Sequence, residues 1–457
     1  MKSSPLPVLM AATFMVVLDF FIVAVALPSM QADLDASAGS IEWVVAGYGL
    51  SLAVMLITGG RLGDRHGRRR VFAYGLALFT VASAICGAAP SVGVLVAARL
   101  LQGLSAALLT PQVLSTIGVT YRDGDRVRAL AVYGMVMGVA AAGGQLLGGV
   151  LIASDLLGLG WRTCFLINVP VGLAALALTR RTVPESRTAA EGGMDIVGAT
   201  LLTGALTAIL LPLVEGRQHG WPLWTWLSLA AAAPLLAAFA LHSRRTAAAG
   251  RSPVLVPALF RVRSFTAGLT TQQLFWCGQA SFFVFLALYL QQGRGLTPLQ
   301  AGLLFTVAAV SYVIASARAP ELVARHGRRL VAAGALLLGA GHALTLAATL
   351  EIGMTGPVLA LAPGLLLIGA GMGLCMTPLV SVVMSAVQNE HAGAASGTLS
   401  TIQQVGNSLG VALIGVLFFG ATGLDHAFAL CEAALVGVSL GVAALTRLLP
   451  PVASVVR

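Results

Sequence analysis

Apolar runs recur along the whole chain, each closed by a short stretch rich in Arg, Asp, Gly, Pro or Ser. Their length, roughly 20 residues, is that of an α-helix crossing ~30 Å of hydrocarbon. Set against the turn and charge signals, the pattern predicts helical spans near residues 8–28, 42–60, 71–89, 92–115, 130–152, 162–180, 197–214, 224–242, 266–290, 300–318, 330–350, 357–384, 396–420 and 427–449. The expected fold class is an all-α membrane protein of fourteen spans.

Of the 457 residues, 58% are hydrophobic and only 10% charged, a balance no soluble globular class shares. A net charge of +10 raises the question of nucleic acid, but the charge is deployed by side rather than in a patch. The N-terminus, the even-numbered interhelical loops and the C-terminus hold 23 Lys and Arg; the odd-numbered loops hold Arg162, Arg217 and Arg294, and Arg99 sits in the fourth span. This asymmetry predicts that both termini are cytoplasmic and accounts for the charge without nucleic acid. Arginine supplies 26 of the 27 basic residues, a skew of the kind genomic composition produces.

Cys86, Cys164, Cys277, Cys375 and Cys431 all fall inside apolar runs with no CxxC pair or His cluster, so neither a disulfide framework nor a metal site is indicated. Ala24-Val25-Ala26 has the form of a leader cleavage site, but the run from Pro7 to Leu27 is long for a leader and carries Asp19, so it is read as a retained span.

Arg65-His66-Gly67-Arg68-Arg69 recurs as Arg325-His326-Gly327-Arg328-Arg329, after the second and tenth spans. An even separation of eight spans puts both copies on one side, as parallel repeats require. If the repeating unit is six spans, two extra helices lie between the halves, flanked by polar linkers over Thr182 to Met194 and His242 to Arg263. The expected organisation is a six-helix bundle over 1–181, a linker with two additional spans over 182–263, and a second six-helix bundle over 264–457.

The stretch from Gly60 to Val71, with Gly63, Asp64, Arg65, Gly67 and Arg68, resembles the loop signature of the major facilitator superfamily. Its glycines permit a tight turn and close helix approach, Asp64 can ion-pair or cap a helix, and the resemblance implies a conformational latch. Arg99-Leu100-Leu101-Gln102-Gly103 is similar to the fourth-helix motif, whose arginine the resemblance associates with proton transfer. Alternatively, Arg99 snorkels outward from its span. Leu18 to Pro28 resembles the first-helix signature of the drug:proton antiporter branch with fourteen helices, and Trp161-Arg162 with Phe165 to Gly172 its sixth-helix signature. Asp19 is the one acid deep within the first six spans, where burial and a nearby guanidinium act on a carboxyl in opposite senses and can poise it to take and release a proton; the alternative is a structural aspartate bonded to neighbouring helices.

Ala140 to Gly149 resembles the fifth-span antiporter motif, with Gly144, Gly148 and Gly149 for helix packing. It departs at Ala140, where glycine is usual, and at Gln145, where proline is, so the kink a proline supplies is expected to be missing. Glycine-mediated packing alone also accounts for the stretch. In the second half only the basic-loop copy, Leu290-Gln291 and Ala301-Gly302 are recognisable.

Solute candidates are polar residues inside spans: Gln102, then Gln272, Trp276, Gln279 and Phe283 at helical spacing in the ninth span, and Gln403, Gln404 and Asn407 in the thirteenth. Ordinary interhelical hydrogen bonding competes with solute contact for each. Glu432 is a further membrane acid, expected toward the outer end and hydrated. The resemblance implies a monomeric, proton-coupled secondary transporter of the plasma membrane. It would export small, largely hydrophobic drugs, antibiotics or natural products by rocking of two bundles. No nucleotide or other cofactor is implied, since there is no GxxxxGK[ST] loop, and the spans offer no convergent catalytic cluster for an enzyme. A proton-linked uptake carrier on the same fold is the alternative, with a membrane-embedded enzyme or non-transporting sensor behind it.

Overall fold

The computed structural model describes residues 4–187, 195–251, 253–255, 257–384 and 392–449. The helices are α1 (Leu6–Asp33), α2 (Ala38–His66), α3 (Arg68–Gly87), α4 (Val92–Thr120), α5 (Asp123–Ser154), α6 (Thr163–Leu166), α7 (Asn168–Thr182), α8 (Ile196–Gln218), α9 (Leu223–Ala248), α10 (Arg263–Leu288), α11 (Pro298–His326), α12 (Arg328–Ile352), α13 (Ala362–Met384), α14 (Ala392–Gly420) and α15 (Leu424–Leu445). Among the described residues thirteen stretches are long and apolar enough to cross a membrane, and a fourteenth is added when the two parts of α5 count as one span. Short α6 and α7 together make the sixth. Exposed side chains on these helices, such as Leu173, Val197, Trp226, Ile314 and Leu440, are apolar, as a lipid-facing surface requires.

Helices outrun the predicted spans. α2 continues to His66 and α3 begins at Arg68, so the basic signature is two helix ends joined at one residue rather than a loop. That residue is Gly67, at φ 103°, a conformation side chains with a Cβ seldom adopt. Likewise α9 runs to Ala248, so the second polar linker starts later than expected and His242 is helical.

Two compact units emerge. One comprises Met1–Phe20, Ser29–Ala140 and Gly158–Pro257, the other Phe21–Pro28, Ala141–Leu157 and Ala258–Arg457. In the first, α4 packs on α2 and α3, and α3 on α7; in the second, α13 packs on α11 and α12, and α12 on α15. These are the same neighbours once each helix is matched across the repeat, so the duplication seen in the basic loops extends to packing. α8 and α9 pack on each other, and α8 rests on α2, where Trp43 Nε1 donates to Glu215.

α5 corrects one expectation. Val132–Ala141 and Gly143–Ser154 are bent by 44° although no proline is present. Past the bend, Gln145 Nε2 donates to the Phe21 carbonyl at 2.9 Å. A Cβ on Gly148 would lie 2.8 Å from Ile22 Cγ1, and one on Gly149 would meet the Pro298 carbonyl and Leu299 Cα; Gly144 is buried as well. Gly302 lies correspondingly close to the Gln145 carbonyl. The glycines thus bring helix backbones together, and Gln145 contributes a hydrogen bond where the motif has a ring.

Asp195, just before α8, ties three segments of the first unit together. It accepts from the backbone N–H of Gly198 (2.8 Å) and Val254 (3.1 Å) and lies 2.6 Å from His242 Nε2. Burial works against its charge, but these hydrogen bonds together outweigh it and hold the carboxyl below its ordinary value. Arg61 Nη2 adds a bond to the Pro253 carbonyl at 2.6 Å.

Two predictions follow from these contacts. A Cβ on Gly59 would overlap the Ala107 carbonyl, whereas Gly93 faces open space, so Gly59→Ala should lower stability in detergent by about 1–3 kcal/mol while Gly93→Ala lowers it not at all; thermal melts of the two variants check this. Because the folded-state pKa of Asp195 is depressed, its stabilisation is fully present above the ordinary carboxylate pKa and disappears as pH falls through the lower folded value. Asp195→Asn should therefore melt below wild type at neutral pH, with the gap closing only under strongly acid conditions.

Candidate functional site

Asp19, Arg99 and Gln102 converge in the first unit. All three are 0% exposed, so Arg99 does not snorkel. Arg99 Nη1 donates to Asp19 Oδ2 and, at 2.8 Å, to Gln102 Oε1; its Nε donates to the Val44 carbonyl at 2.8 Å. Gln102 Nε2 donates to Asp19 Oδ1 and to Ser83 Oγ, both at 2.8 Å, and Asn168 Nδ2 reaches the same Oδ1 at 2.9 Å. The guanidinium lies 4.2 Å from the Tyr48 ring centroid and 5.7 Å from that of Phe165. α1, α2, α3, α4, α6 and α7 each contribute, and only Arg99 Nη2 lacks a partner among the described residues.

Local sequence explains how these groups meet. Arg99 and Gln102 are three residues apart and share a face of α4. Gly103 lets α2 approach so closely that a Cβ there would strike the Tyr48 carbonyl, bringing Val44 and Tyr48 over Arg99. The sixth span is set by its first turn: Trp161 Nε1 (3.1 Å) and Arg162 Nη1 (2.6 Å) both donate to Asp33 Oδ2 at the end of α1. Of the solute candidates, Gln102 is thereby placed inside the charge centre with its amide engaged at both ends. Sequence reasoning quoted Asn168 only within a signature and missed Ser83, whose bond to Gln102 is one among many Ser contacts in membrane helices.

The residues of the basic turn lie at the opposite end of α2 from Val44. A Cβ on Gly63 would overlap the Gln112 amide, which itself donates to the Gly59 carbonyl at 2.8 Å, and one on Gly60 would rest in ordinary contact with Pro111. Asp64 pairs with Arg68 across the turn at 2.8 Å, while Arg65 is exposed. The segment after α7 closes on this turn: Glu185 accepts from the Arg69 backbone (3.2 Å) and pairs with Arg69 and Arg70, and the Arg68 backbone donates to the Ser186 carbonyl at 3.0 Å. The second copy does the same with other atoms. Gly327 turns at φ 51°, and Arg328 Nη1 donates to the Arg447 (2.8 Å) and Leu449 (2.6 Å) carbonyls beyond α15. Glu185 had been passed over as linker.

In the second unit Gln272, Trp276 and Gln279 lie on α10, nearly buried, and Gln272 Oε1, Trp276 Nε1 and Gln279 Oε1 have no hydrogen-bond partner among the described residues. Neither has Asn407 Oδ1 on α14, whose Nδ2 is 3.4 Å from Gln404 Oε1. Gly406 brings α14 against α10, since a Cβ there would lie 2.9 Å from Trp276 Cβ. Gln403 is half-buried, and Phe283 packs edge-on to Phe21 at 5.2 Å. Buried amides and an indole with unspent capacity form a surface able to bind a ligand that combines apolar bulk with scattered polar atoms. Glu432 differs from expectation: it is fully buried, not hydrated, and its Oε2 is 2.8 Å from His342 Nδ1, a partner the sequence did not reveal.

A sequence profile described as the Major Facilitator Superfamily matches residues 9–411. The chain belongs to this superfamily. Among its relatives are a probable actinorhodin transporter from Streptomyces coelicolor, 37% identical over 92% of this chain and 72% of the relative, and the cephamycin export protein CmcT from Amycolatopsis lactamdurans, 37% identical over 97% and 91%. The puromycin resistance protein pur8 of Streptomyces alboniger is 36% identical over 91% and 82%. Such relatives place this superfamily member in the drug:proton antiporter branch and make it a multi-pass membrane transporter of small molecules. A solved D-xylose–proton symporter shares the fold, with a TM-score of 0.68 at 16% identity over 98% of both chains.

The charge centre yields an asymmetric prediction. Asp19→Asn strands a guanidinium that cannot shed its charge, whereas Arg99→Gln leaves a carboxyl that can be neutralised by a proton. Asp19→Asn should therefore destabilise the protein by about 3–5 kcal/mol and Arg99→Gln by less, with the double variant recovering part of the loss; thermal melts of the three variants in detergent test the order.

Proposed function

We propose that the chain is a proton-coupled exporter of small, largely hydrophobic antibiotics or natural products, working by alternating access, with Asp19 and Arg99 as its coupling centre. The observation that carries this reading is the composition of the centre. Among the described residues, every hydrogen-bond partner of the Asp19 carboxylate is a donor: Arg99 Nη1, Gln102 Nε2 and Asn168 Nδ2. A proton on Asp19 turns one oxygen into a donor facing donors, so it requires an amide to rotate or Arg99 to part from its partner. Either event loosens a contact among α1, α4 and α7, which links protonation to helix movement. Each proton moving inward down 100 mV supplies ~2.3 kcal/mol.

The amides of α10 and α14, with Trp276 and Phe283, would take the solute, and the Gly60-to-Arg68 turn would act as the latch. The export names of the relatives, together with the glycine packing and bend that α5 keeps without its proline, favour export over uptake. The protein would sit in the plasma membrane as a monomer with cytoplasmic termini, organised as bundles over 1–181 and 264–457 joined by the segment over 182–263 with α8 and α9.

The test is accumulation of labelled antibiotics from a panel in energised cells. Loss of the protein should raise accumulation of its solute, and a fall instead would establish an uptake carrier. In inverted vesicles, Asp19→Asn should abolish proton release on addition of that solute; unchanged coupling would sink the assignment of Asp19.

A further inference from the structure

The step of 260 residues that carries Arg65 onto Arg325 also carries Ala82, next to Ser83 of the charge centre, onto His342. α12 and α15 are the repeat counterparts of α3 and α7, and like them they pack together. Where α3 and α7 supply Ser83 and Asn168, α12 and α15 supply His342 and Glu432. His342 Nδ1 and Glu432 Oε2 are 2.8 Å apart with both side chains essentially sealed from solvent, and Glu432 Oε1 is buried with no partner among the described residues.

Among the described residues, the helices packed around this pair bring few ionisable groups to it. α10 adds the Phe282 ring, edge-on to His342 at 5.2 Å, and its only ionisable groups are Arg263 at its start and Cys277. α13 carries only Cys375, whose thiol bonds the Val331 carbonyl, and α14 carries no acid, base, cysteine or histidine. On α15 the Cys431 thiol adjoins Glu432, with Asp425 and His426 toward the helix start; on α12, Arg328, Arg329 and Glu351 lie at the ends, and Arg447 follows α15.

From His342 a row of hydroxyls leads to one end of the unit. Thr345 and Thr349 follow at the third and seventh positions on the same face of α12, both buried. Gly364 of α13 leaves room for the Thr345 hydroxyl, which donates to the Gly341 carbonyl at 3.0 Å, and the Thr349 hydroxyl donates to the Thr345 carbonyl at 2.8 Å; Thr349 adjoins Tyr289, whose hydroxyl is 3.5 Å from Arg294 Nη1. Arg294 also donates to the Gly353 and Gly356 carbonyls in the turn that follows α12. Ordinary packing accounts for threonines that bond the carbonyls of their own helix, but not for their lining up with a buried ionisable pair that keeps a spare oxygen.

We infer that His342 and Glu432 form a second proton-binding site, in the C-terminal bundle, served by a relay through Thr345, Thr349 and Tyr289. With a proton of its own on His342 Nε2, the pair shares one further proton between Nδ1 and Oε2 and is neutral overall. Glu432 Oε1 takes an added proton while His342 keeps its own, giving a singly positive site, and releases it along the same row as the Thr345 and Thr349 hydroxyls swing off the Gly341 and Thr345 carbonyls. No bond other than O–H is made or broken. The inference adds a second site to the proton coupling proposed above but does not need Asp19 to function, and it is tested without solute.

The experiment is a pH titration of the purified protein in lipid nanodiscs, followed by infrared absorption of protonated carboxyl groups. Wild type should show a carboxyl band that titrates reversibly and is lost in Glu432→Gln, shifted in His342→Gln, and retained in Asp19→Asn. Thr349→Val and Tyr289→Phe leave both partners in place and should slow deuterium exchange of that carboxyl at least about tenfold, the factor for one added barrier of ~1.4 kcal/mol. If the Glu432 band never titrates while the protein stays folded, or exchange is unchanged in both relay variants, the pair is a structural staple between α12 and α15 and the inference fails. Failure of Asp19→Asn to alter coupling in vesicles would leave this result untouched.

Discussion

A guanidinium in hydrocarbon has to be answered, and the first unit is organised around answering the one on Arg99. The cost of an unpaired arginine at mid-span, ~2.5–3.5 kcal/mol on insertion scales and more on an isolated helix, leaves little choice but to surround it. Its nitrogens meet Asp19, Gln102 and the Val44 carbonyl, and its face meets Tyr48 and Phe165. Helices bearing those groups are constrained to approach α4, and the small residues along α2 and α4 are what allow it: Gly59, Gly63 and Gly103 all lie where a Cβ would strike the other helix. Charge neutralisation and close packing are therefore one constraint seen twice.

The basic repeat has a mechanical meaning beyond topology. In both copies a glycine turns the chain between two helices, and the arginine after it donates to backbone carbonyls just beyond a later helix: Arg68 N–H to Ser186 after α7, and Arg328 Nη1 to Arg447 and Leu449 after α15, while Glu185 accepts from the Arg69 backbone. The turn between α2 and α3 is thereby tied to the segment after α7, and the turn between α11 and α12 to the segment after α15. The exposed ion pairs of Arg69 and Arg70 add little by themselves. The backbone hydrogen bonds and the left-handed turn supply the geometry.

The polar inventories of the two units contrast. Around Asp19 nearly every donor and acceptor is matched, so any change of protonation forces rearrangement. Along α10 the amides of Gln272 and Gln279 and the indole of Trp276 keep unmatched atoms, which suits an adaptable surface accepting solutes of differing polarity.

Hydrophobic runs, alternate basic loops and the repeated Arg-His-Gly-Arg-Arg were enough to number the helices, because span length and side are set by the bilayer and act on each segment independently. Asp19 and Arg99 announced themselves for the same reason: a charge in an apolar run is costly wherever its partner lies. Partners are a different matter. Asn168 joins Asp19 from far along the chain, His342 joins Glu432, and Glu185 joins Arg69, in each case through helices whose rotation and depth are decided by packing among several neighbours. The bend in α5 at Ala141–Gly143, unannounced by any proline, belongs to that class too. Periodicity records which face of a helix is apolar or polar; only the assembled bundle decides what that face meets.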